Sequence, residues 1–342
     1  MKPVPDGPGQ RPTPGPLAPV VVVGEALIDL LPRPKFGDGT GPAVVMLEAI
    51  PGGSAANVAL GLARHDVPTC FAGRFAIGGL GPWRKSFLQR EGVDLTLSVD
   101  ATEPATLALV TFDNQRGATY DFYGRDSADW HWRPGELPDP QQLQAAAVHT
   151  GSLATILRPG AELLRRWLSA VRSRGDVVVS YDPNVRLGVV DDKASYRASL
   201  AEMVPDVHLV KASEEDLAVL WPNQPVIETA RRWLGITPGP DIVIITRGSN
   251  GCVALHRDGR CLEQPRSPAA VVDTVGAGDA FTSGFLARLW SSGHLTPDAL
   301  AGIGDGVVLD ALAHANRVAA LTCERPGADP PYAADVQGHV AG

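Results

Sequence analysis

Pro19-Val20-Val21-Val22-Val23-Gly24 limits the folds open to this chain more than any other stretch. An unbroken β-branched run this short, closed by glycine, predicts a strand buried on both faces, and such strands belong to parallel sheets. The pattern recurs at 177–181, 207–210 and 242–246. Amphipathic helices are predicted over 55–65, 84–91, 161–174, 214–220 and 227–234. Strands and helices in alternation specify a doubly wound α/β sheet with helices on both sides. With 342 residues, 44% of them hydrophobic, the chain can bury a sizeable core.

One region breaks the rhythm. Residues 104–123 read as two β-rich runs around Asn114-Gln115-Arg116-Gly117, an antiparallel hairpin. The Gly/Pro-rich stretch 33–51 is expected to add a strand to it, so that roughly 33–51 and 104–124 make a small β flap. Residues 1–19, dense in proline and glycine, are expected to be a disordered tail rather than a signal peptide. The ordered domain is expected over 20–335, with 336–342 trailing from it.

Charge and cysteine usage exclude some partners. Lys and Arg number 30 against 38 Asp and Glu, a net −8, which gives no reason to expect nucleic acid. No apolar stretch approaches the length of a bilayer span, so no membrane partner is expected. Cys70, Cys252, Cys261 and Cys323 form no CxxC and no metal-like cluster. A two-residue turn at Asp258-Gly259 would set Cys261 opposite His256, not Cys252. Reduced, buried thiols in a cytoplasmic protein are therefore expected.

The chemistry concentrates in Val271-Val272-Asp273-Thr274-Val275-Gly276-Ala277-Gly278-Asp279-Ala280-Phe281. An apolar strand ends, a Gly-Ala-Gly turn follows, and a helix is predicted to start near Asp279. Small residues let backbone N–H groups approach a ligand, with Gly278 expected at positive φ, and a helix start adds partial positive charge. Together these make an anion hole suited to a phosphoryl group. Asp279 beside it is badly placed to bind phosphate but well placed to take a proton from an attacking hydroxyl. A plain turn with an Asp cap is the competing reading of Gly-x-Gly alone.

Other nucleotide signatures are missing. No Gly-Lys dipeptide occurs, so there is no P-loop. Gly24-Glu25-Ala26 after the first strand is not a dinucleotide fingerprint. His256-Arg257-Asp258 lacks the rest of a protein-kinase catalytic loop and reads as a hairpin turn.

Three motifs together carry a resemblance. Asp273-Thr274-Val275-Gly276-Ala277-Gly278-Asp279, Gly52-Gly53-Ser54-Ala55-Ala56-Asn57 and Gly24-Glu25-Ala26-Leu27-Ile28-Asp29 resemble the ribokinase (PfkB) family of carbohydrate kinases. The last of these and Asp182-Pro183-Asn184-Val185-Arg186 look most like its fructokinase branch. The resemblance spans about 20–331. It implies a ribokinase-like three-layer α/β/α sandwich with a mostly parallel central sheet and a small β lid over the sugar. It also implies transfer of the γ-phosphate of Mg-ATP to a sugar hydroxyl, with fructose as the leading substrate.

Roles follow residue by residue. Asp279 would be the catalytic base, and the backbone of Gly276, Ala277 and Gly278 would stabilise the transferring phosphoryl group. Asp29 and Asn57 would bind sugar hydroxyls, Gly52 and Gly53 would allow close approach, and Phe122 and Arg186 would complete the substrate site. Asp29 is expected at the end of the first strand and Asn57 at the start of the next helix. Taken singly, Asp29 also reads as a strand-end polar residue and Asn57 as a helix cap.

Thr246, Gly248 and Gly251 would line ATP, although their segment alone is an ordinary Gly-rich turn. Ser213 and Asp216 would help place Mg²⁺ and phosphates through water, with a helix N-cap as the other reading of Ser213. A K⁺ loop would map to Asp273, Val275, Thr322, Arg325 and Gly327, mostly through carbonyl oxygens. Pro331 stands where some members offer a hydroxyl, and Gly78 where many have Asp. Arg74 is expected to point at the substrate instead. Tyr120, Phe122 and Tyr123 alternate with polar residues along the lid, and lids of this kind often pair two chains into a homodimer. Rival readings are a same-family kinase for a nucleoside, sugar acid or cyclitol, and a non-catalytic sugar- or nucleotide-binding regulator.

Overall fold

The computed structural model describes residues 18–33, 45–113, 117–190 and 192–338. Most of the expected tail (1–17), part of the first flap segment (34–44), the hairpin tip (114–116) and 339–342 lie outside the described residues.

Val20–Val23 lies inside an eight-stranded sheet whose order is Cys261–Gln264, Cys252–His256, Ile242–Thr246, Leu209–Ser213, Val178–Asp182, Ala147–Gly151, Val20–Val23, Thr69–Ala72. From Ile242–Thr246 to Thr69–Ala72 every neighbouring pair is parallel. Cys252–His256 and Cys261–Gln264 add an antiparallel edge. Side chains alternate across a strand, so each strand feeds two cores. Val20 and Val22 pack with Leu62, Phe281, Phe285 and Leu312 on one face. Val21 and Val23 pack with Leu164, Leu168, Leu200 and Leu234 on the other. These are the three layers the strand–helix alternation requires.

The predicted helices form at Ser54–Arg64, Gly81–Arg90, Gly160–Arg172, Glu214–Leu220 and Val226–Leu234, within a few residues of expectation. The strand expected at 207–210 runs instead over Leu209–Ser213, because a short 3-10 turn at Val204–Asp206, with Pro205 inside it, precedes it. No described helix is long and apolar enough to cross a membrane.

The flap is a separate four-stranded sheet in the order Met46–Pro51, Ile28–Arg33, Leu107–Asp113, Gly117–Tyr123. Its central pair, Ile28–Arg33 with Leu107–Asp113, is parallel, and both outer pairs are antiparallel. Asp29 therefore does not end the first strand as expected. The chain leaves the central sheet at Gly24, and Asp29 is the second residue of a lid strand. A change of direction at Gly24 (φ 156°) allows this, and a Cβ there would sit 2.5 Å from that of Ala55.

Two smaller expectations are also corrected. The Cys252–Cys261 hairpin has a three-residue loop. His256 and Arg260 pair, Gly259 takes φ 95°, and Cys261 faces Leu255, not His256. All four cysteines are free, but only Cys252 is buried; Cys261 is exposed, and Cys70 and Cys323 are partly covered. At the other end, helix Ala333–Gly338 crosses the expected boundary at 335 and buries Val336.

Candidate active site

Ligands of open α/β sheets bind beyond the carboxyl ends of the strands. There the chain gathers Glu25 after Val20–Val23, Ser152 after Ala147–Gly151, and Asn184 and Arg186 after Val178–Asp182. It also brings Asp216 after Leu209–Ser213 and Gly248 after Ile242–Thr246. The Gly-Ala-Gly turn enters the same edge from helix Ala277–Ser291, whose N-cap is Gly276 at φ 76°. The left-handed glycine is thus Gly276, not Gly278 as expected. The helix starts two residues before Asp279, so Asp279 lies in its first turn, where N–H groups lack intrahelical acceptors.

Asp279 is buried and held from both sides. Ser54 Oγ donates to its Oδ1 at 2.7 Å, and Asn57 Nδ2 donates to its Oδ2 at 2.9 Å. Burial raises its pKa, and these two donors oppose that rise. Asn57 is therefore not the cap of its helix; the N-cap is Gly53, with no side-chain cap bond. The Gly-Gly turn makes the approach possible: Gly53 has φ 98°, and a Cβ there would lie 2.7 Å from the Glu25 carbonyl oxygen.

Two cavities meet at this point. One, of about 570 Å³, is bounded by Ser213, Asp216, Thr246, Gly248, Gly251, Ala277 and Lys211. The other, of about 700 Å³, is bounded by Asp29, Gly53, Asn57, Phe122, Val275, Gly276 and Asp279, with Glu25 and Ser54. Asn184, Arg186, Glu215, Thr274 and Gly278 line both. A group passing from the first cavity to the second would cross beside the Gly-Ala-Gly turn and meet the Asp279 carboxylate.

Asp29 is buried in the second cavity, and burial pushes its carboxyl up to about 6 against the pull of Arg84 and Arg186. Gly52 lines neither cavity but abuts this carboxylate; a Cβ on it would meet Asp29 Oδ2 at 2.5 Å. Glu25, also buried there, is pushed up to about 7, chiefly by burial. Arg74, expected to point at the substrate, is instead paired with Glu103 and Glu136 and lines neither cavity.

On the first cavity's side, Lys211 Nζ makes a buried ion pair with Asp182 Oδ2 at 2.8 Å. A Cβ on Gly278 would lie 2.9 Å from that nitrogen, so the glycine keeps the turn open against the lysine. Ser213 is indeed an N-cap, in a capping box with Asp216, whose other oxygen accepts the Val185 N–H at 3.0 Å. Ser213 thus caps the helix and also lines the first cavity.

The residues expected to form a cation loop are adjacent. Asp273 accepts from the N–H of Val275 at 3.1 Å and of Gly327 at 2.8 Å. Thr322 spends its hydroxyl on the Val318 carbonyl oxygen. Asp273 thus fastens the loops 273–275 and 322–327 together, while Thr322 bonds back within helix Asp305–Cys323. Sequence reasoning left Ser54, Glu25, Lys211 and Asp182 without roles. Ser54 lay inside a quoted motif, but no local signal reports a partner 225 positions away.

A family model described as pfkB family carbohydrate kinase matches residues 18–334. The fructokinase of Klebsiella pneumoniae is 32% identical over 317 residues, 92% of this chain and 97% of that protein. The fructokinase of Rhizobium leguminosarum bv. trifolii is 33% identical, covering 84% of each. Among solved structures, a fructokinase double mutant from Vibrio cholerae O395 with fructose, ADP and a potassium ion bound superposes with a TM-score of 0.78 at 26% identity. It covers 94% of this chain and 98% of that one.

Proposed function

This chain belongs to the pfkB family of carbohydrate kinases, and from that premise we propose that it transfers the γ-phosphate of Mg-ATP to a hydroxyl of a neutral sugar, with fructose as the substrate. The observation that carries this reading is the placement of Asp279. Its carboxylate borders the second cavity, and Gly278, the residue before it, lines both cavities.

In this reading ATP occupies the cavity of Lys211, Thr246, Gly248 and Gly251, and the sugar occupies that of Asp29 and Asn57. Asp279 takes the proton from the attacking hydroxyl, which makes that oxygen a competent nucleophile. N–H groups of the Gly276–Gly278 turn and the start of its helix stabilise charge on the transferring phosphoryl group. Arg186, lining both cavities, adds a fixed positive charge at the crossing. Phe122 and the lid cover the sugar, which keeps water from competing for the phosphoryl group.

Carboxylates of Glu214, Glu215 and Asp216 border the ATP cavity, which suits Mg²⁺, an ion held by one or two carboxylates and substrate phosphates. Mg²⁺ neutralises phosphate charge when bound. The loops of Asp273, Val275, Thr322, Arg325 and Gly327 offer K⁺ its carbonyl oxygens. The lid's outer strand exposes Met46 and Leu47, and Val45 just before it is exposed too, an apolar strip on which a second copy of the chain would dock.

The sugar cavity also argues for charge selection. Glu25, Asp29, Glu215 and Asp279 face it with Arg186 as the cationic side chain. A sugar acid would bring an anion among carboxylates, whereas a neutral polyol donates hydroxyls to them. The named fructokinase relatives agree with a neutral ketose. ATP turnover against fructose, ribose, a nucleoside, a cyclitol and a keto-deoxy sugar acid tests the reading. Fructose phosphate should form fastest. Turnover of the nucleoside or the sugar acid with fructose inert would overturn the assignment.

A further inference from the structure

We propose that Arg84, a residue outside both cavities, is a positioning residue for the sugar site that fixes where Asp29 stands and keeps it a hydrogen-bond acceptor. The inference rests on the assignment of the Asp29 cavity to the sugar.

A buried guanidinium is costly where its donors go unused; Arg84 uses Nε and Nη2, while its buried Nη1 has no hydrogen-bond partner among the described residues. Arg84 is 1% exposed, on helix Gly81–Arg90. Its Nε donates to the Leu27 carbonyl oxygen at 3.3 Å, and its Nη2 donates to that of Gly52 at 2.9 Å. These two carbonyls frame Asp29. Leu27 lies two positions before it, and Gly52 is the residue whose missing Cβ makes room for its carboxylate. The Gly52 N–H closes the frame on the Leu27 carbonyl oxygen at 3.0 Å. One planar fork thus ties the lid strand carrying Asp29 to the Gly-Gly turn that opens the Asn57 helix. Lysine, a point charge, cannot span both carbonyls in this way.

The fork also acts through charge. Asp29 faces Arg84, Arg186 from the loop after Val178–Asp182, and Asp279 from helix Ala277–Ser291. On its other side Arg84 faces Asp129, which is occupied by the Ala26 N–H at 2.9 Å and the Thr106 hydroxyl. Burial and Asp279 favour protonated Asp29, and the two arginines favour the carboxylate that accepts sugar hydroxyls. Loss of Arg84 moves the Asp29 titration, already at about 6, up toward neutral pH.

The test compares Arg84→Met and Arg84→Lys with wild type, using fructose and ATP from pH 6 to 9. Arg84→Met should raise the KM for fructose on the order of tenfold at neutral pH while leaving the KM for ATP within about twofold. That defect should shrink as pH rises and Asp29 ionises. Arg84→Lys, retaining the charge, should keep the wild-type pH midpoint while still weakening fructose. Melting temperature and ADP binding report whether each variant is folded. A folded Arg84→Met with unchanged KM for fructose overturns the proposal. So does a defect that is independent of pH and equal in the lysine variant, which marks a scaffold role only. If Arg84→Met does not fold, Arg84→Lys decides alone: a wild-type KM for fructose, or a displaced pH midpoint, overturns the proposal. A wild type that turns over no neutral sugar overturns both this inference and the substrate reading; an active wild type with an indifferent variant overturns this inference alone.

Discussion

Asp279 owes its state to two neighbours that reach it from the helix after the Gly-Gly turn. Its replacement by Asn removes the base but keeps both hydrogen-bonding edges filled. Asp279→Asn should therefore fold and bind both ligands while losing about 10²–10⁴-fold in turnover, read by coupled assay beside isothermal titration. Ser54 and Asn57 give a finer test. Burial raises the pKa of Asp279 and their donated hydrogen bonds lower it, so removing one should raise it further. The acid limb of kcat in Asn57→Ala should move to higher pH, with activity recovering in alkaline buffer. An acid limb that stays put would leave Asp279 without the proton-accepting role. The placement of Asp279 beside the glycine turn was legible in the sequence because they are contiguous. Ser54 and Arg84 were not, because their roles depend on partners brought together by the fold. Arg84 was readable only as one polar residue at the start of a predicted helix.

Elements determine how tightly these residues are held. Ser213 and Asp216 close the start of Glu214–Leu220 reciprocally, and Asp216 also binds the loop that carries Arg186. Ser213→Ala should cost about 1 kcal/mol in chemical denaturation. It should also raise the KM for ATP, because the loosened cap lines that cavity. The turn before Ala277–Ser291 offers a paired comparison. Gly276→Ala forces a side chain into φ 76° and into Ala328, with its Cβ at 2.5 Å, so it should lower both stability and turnover. A Cβ at Gly278 meets only the end of Lys211, so Gly278→Val should lower turnover with less loss of melting temperature than Gly276→Ala. The strands Val20–Val23, Val178–Asp182 and Ile242–Thr246 and the five predicted helices followed from periodicity. The buried strands Thr69–Ala72 and Ala147–Gly151 and the helices Lys193–Met203 and Asp305–Cys323 did not, and Val271-Val272, expected to end a strand, is exposed and forms none. The lid strand Ile28–Arg33 was missed because Gly24-Glu25-Ala26-Leu27-Ile28-Asp29 reads as one continuous exit from the first strand. Only the tertiary pairing with Leu107–Asp113 reveals that it has changed sheets.

At the scale of the whole molecule, binding competes with stability. Glu25 rises from 4.5 to about 7 and Asp29 from 3.8 to about 6, both chiefly through burial. A carboxyl whose folded pKa is raised contributes stability below its unfolded pKa and loses it as pH climbs through the folded value. The ligand-free protein should therefore lose melting temperature between about pH 4 and 7, and the Glu25→Gln, Asp29→Asn double variant should flatten that slope. An unchanged slope in the double variant would clear both groups of this cost. Fructose should restore part of the loss in wild type by mass action and do little for the double variant.

Asp29 stands on the lid sheet, whereas Asp279 stands on helix Ala277–Ser291 at the carboxyl edge of the central sheet. A sugar seated in the cavity between them would therefore touch both sheets at once. With ATP alone, nothing bridges Asp29 and Asp279 across that cavity, and no acceptor hydroxyl is aligned on the Asp279 carboxylate. Such a layout is thrifty with nucleotide. Phosphate release without sugar should be a small fraction of sugar-dependent turnover, and a non-phosphorylatable fructose analogue that fills the cavity and excludes water should lower that idle hydrolysis further.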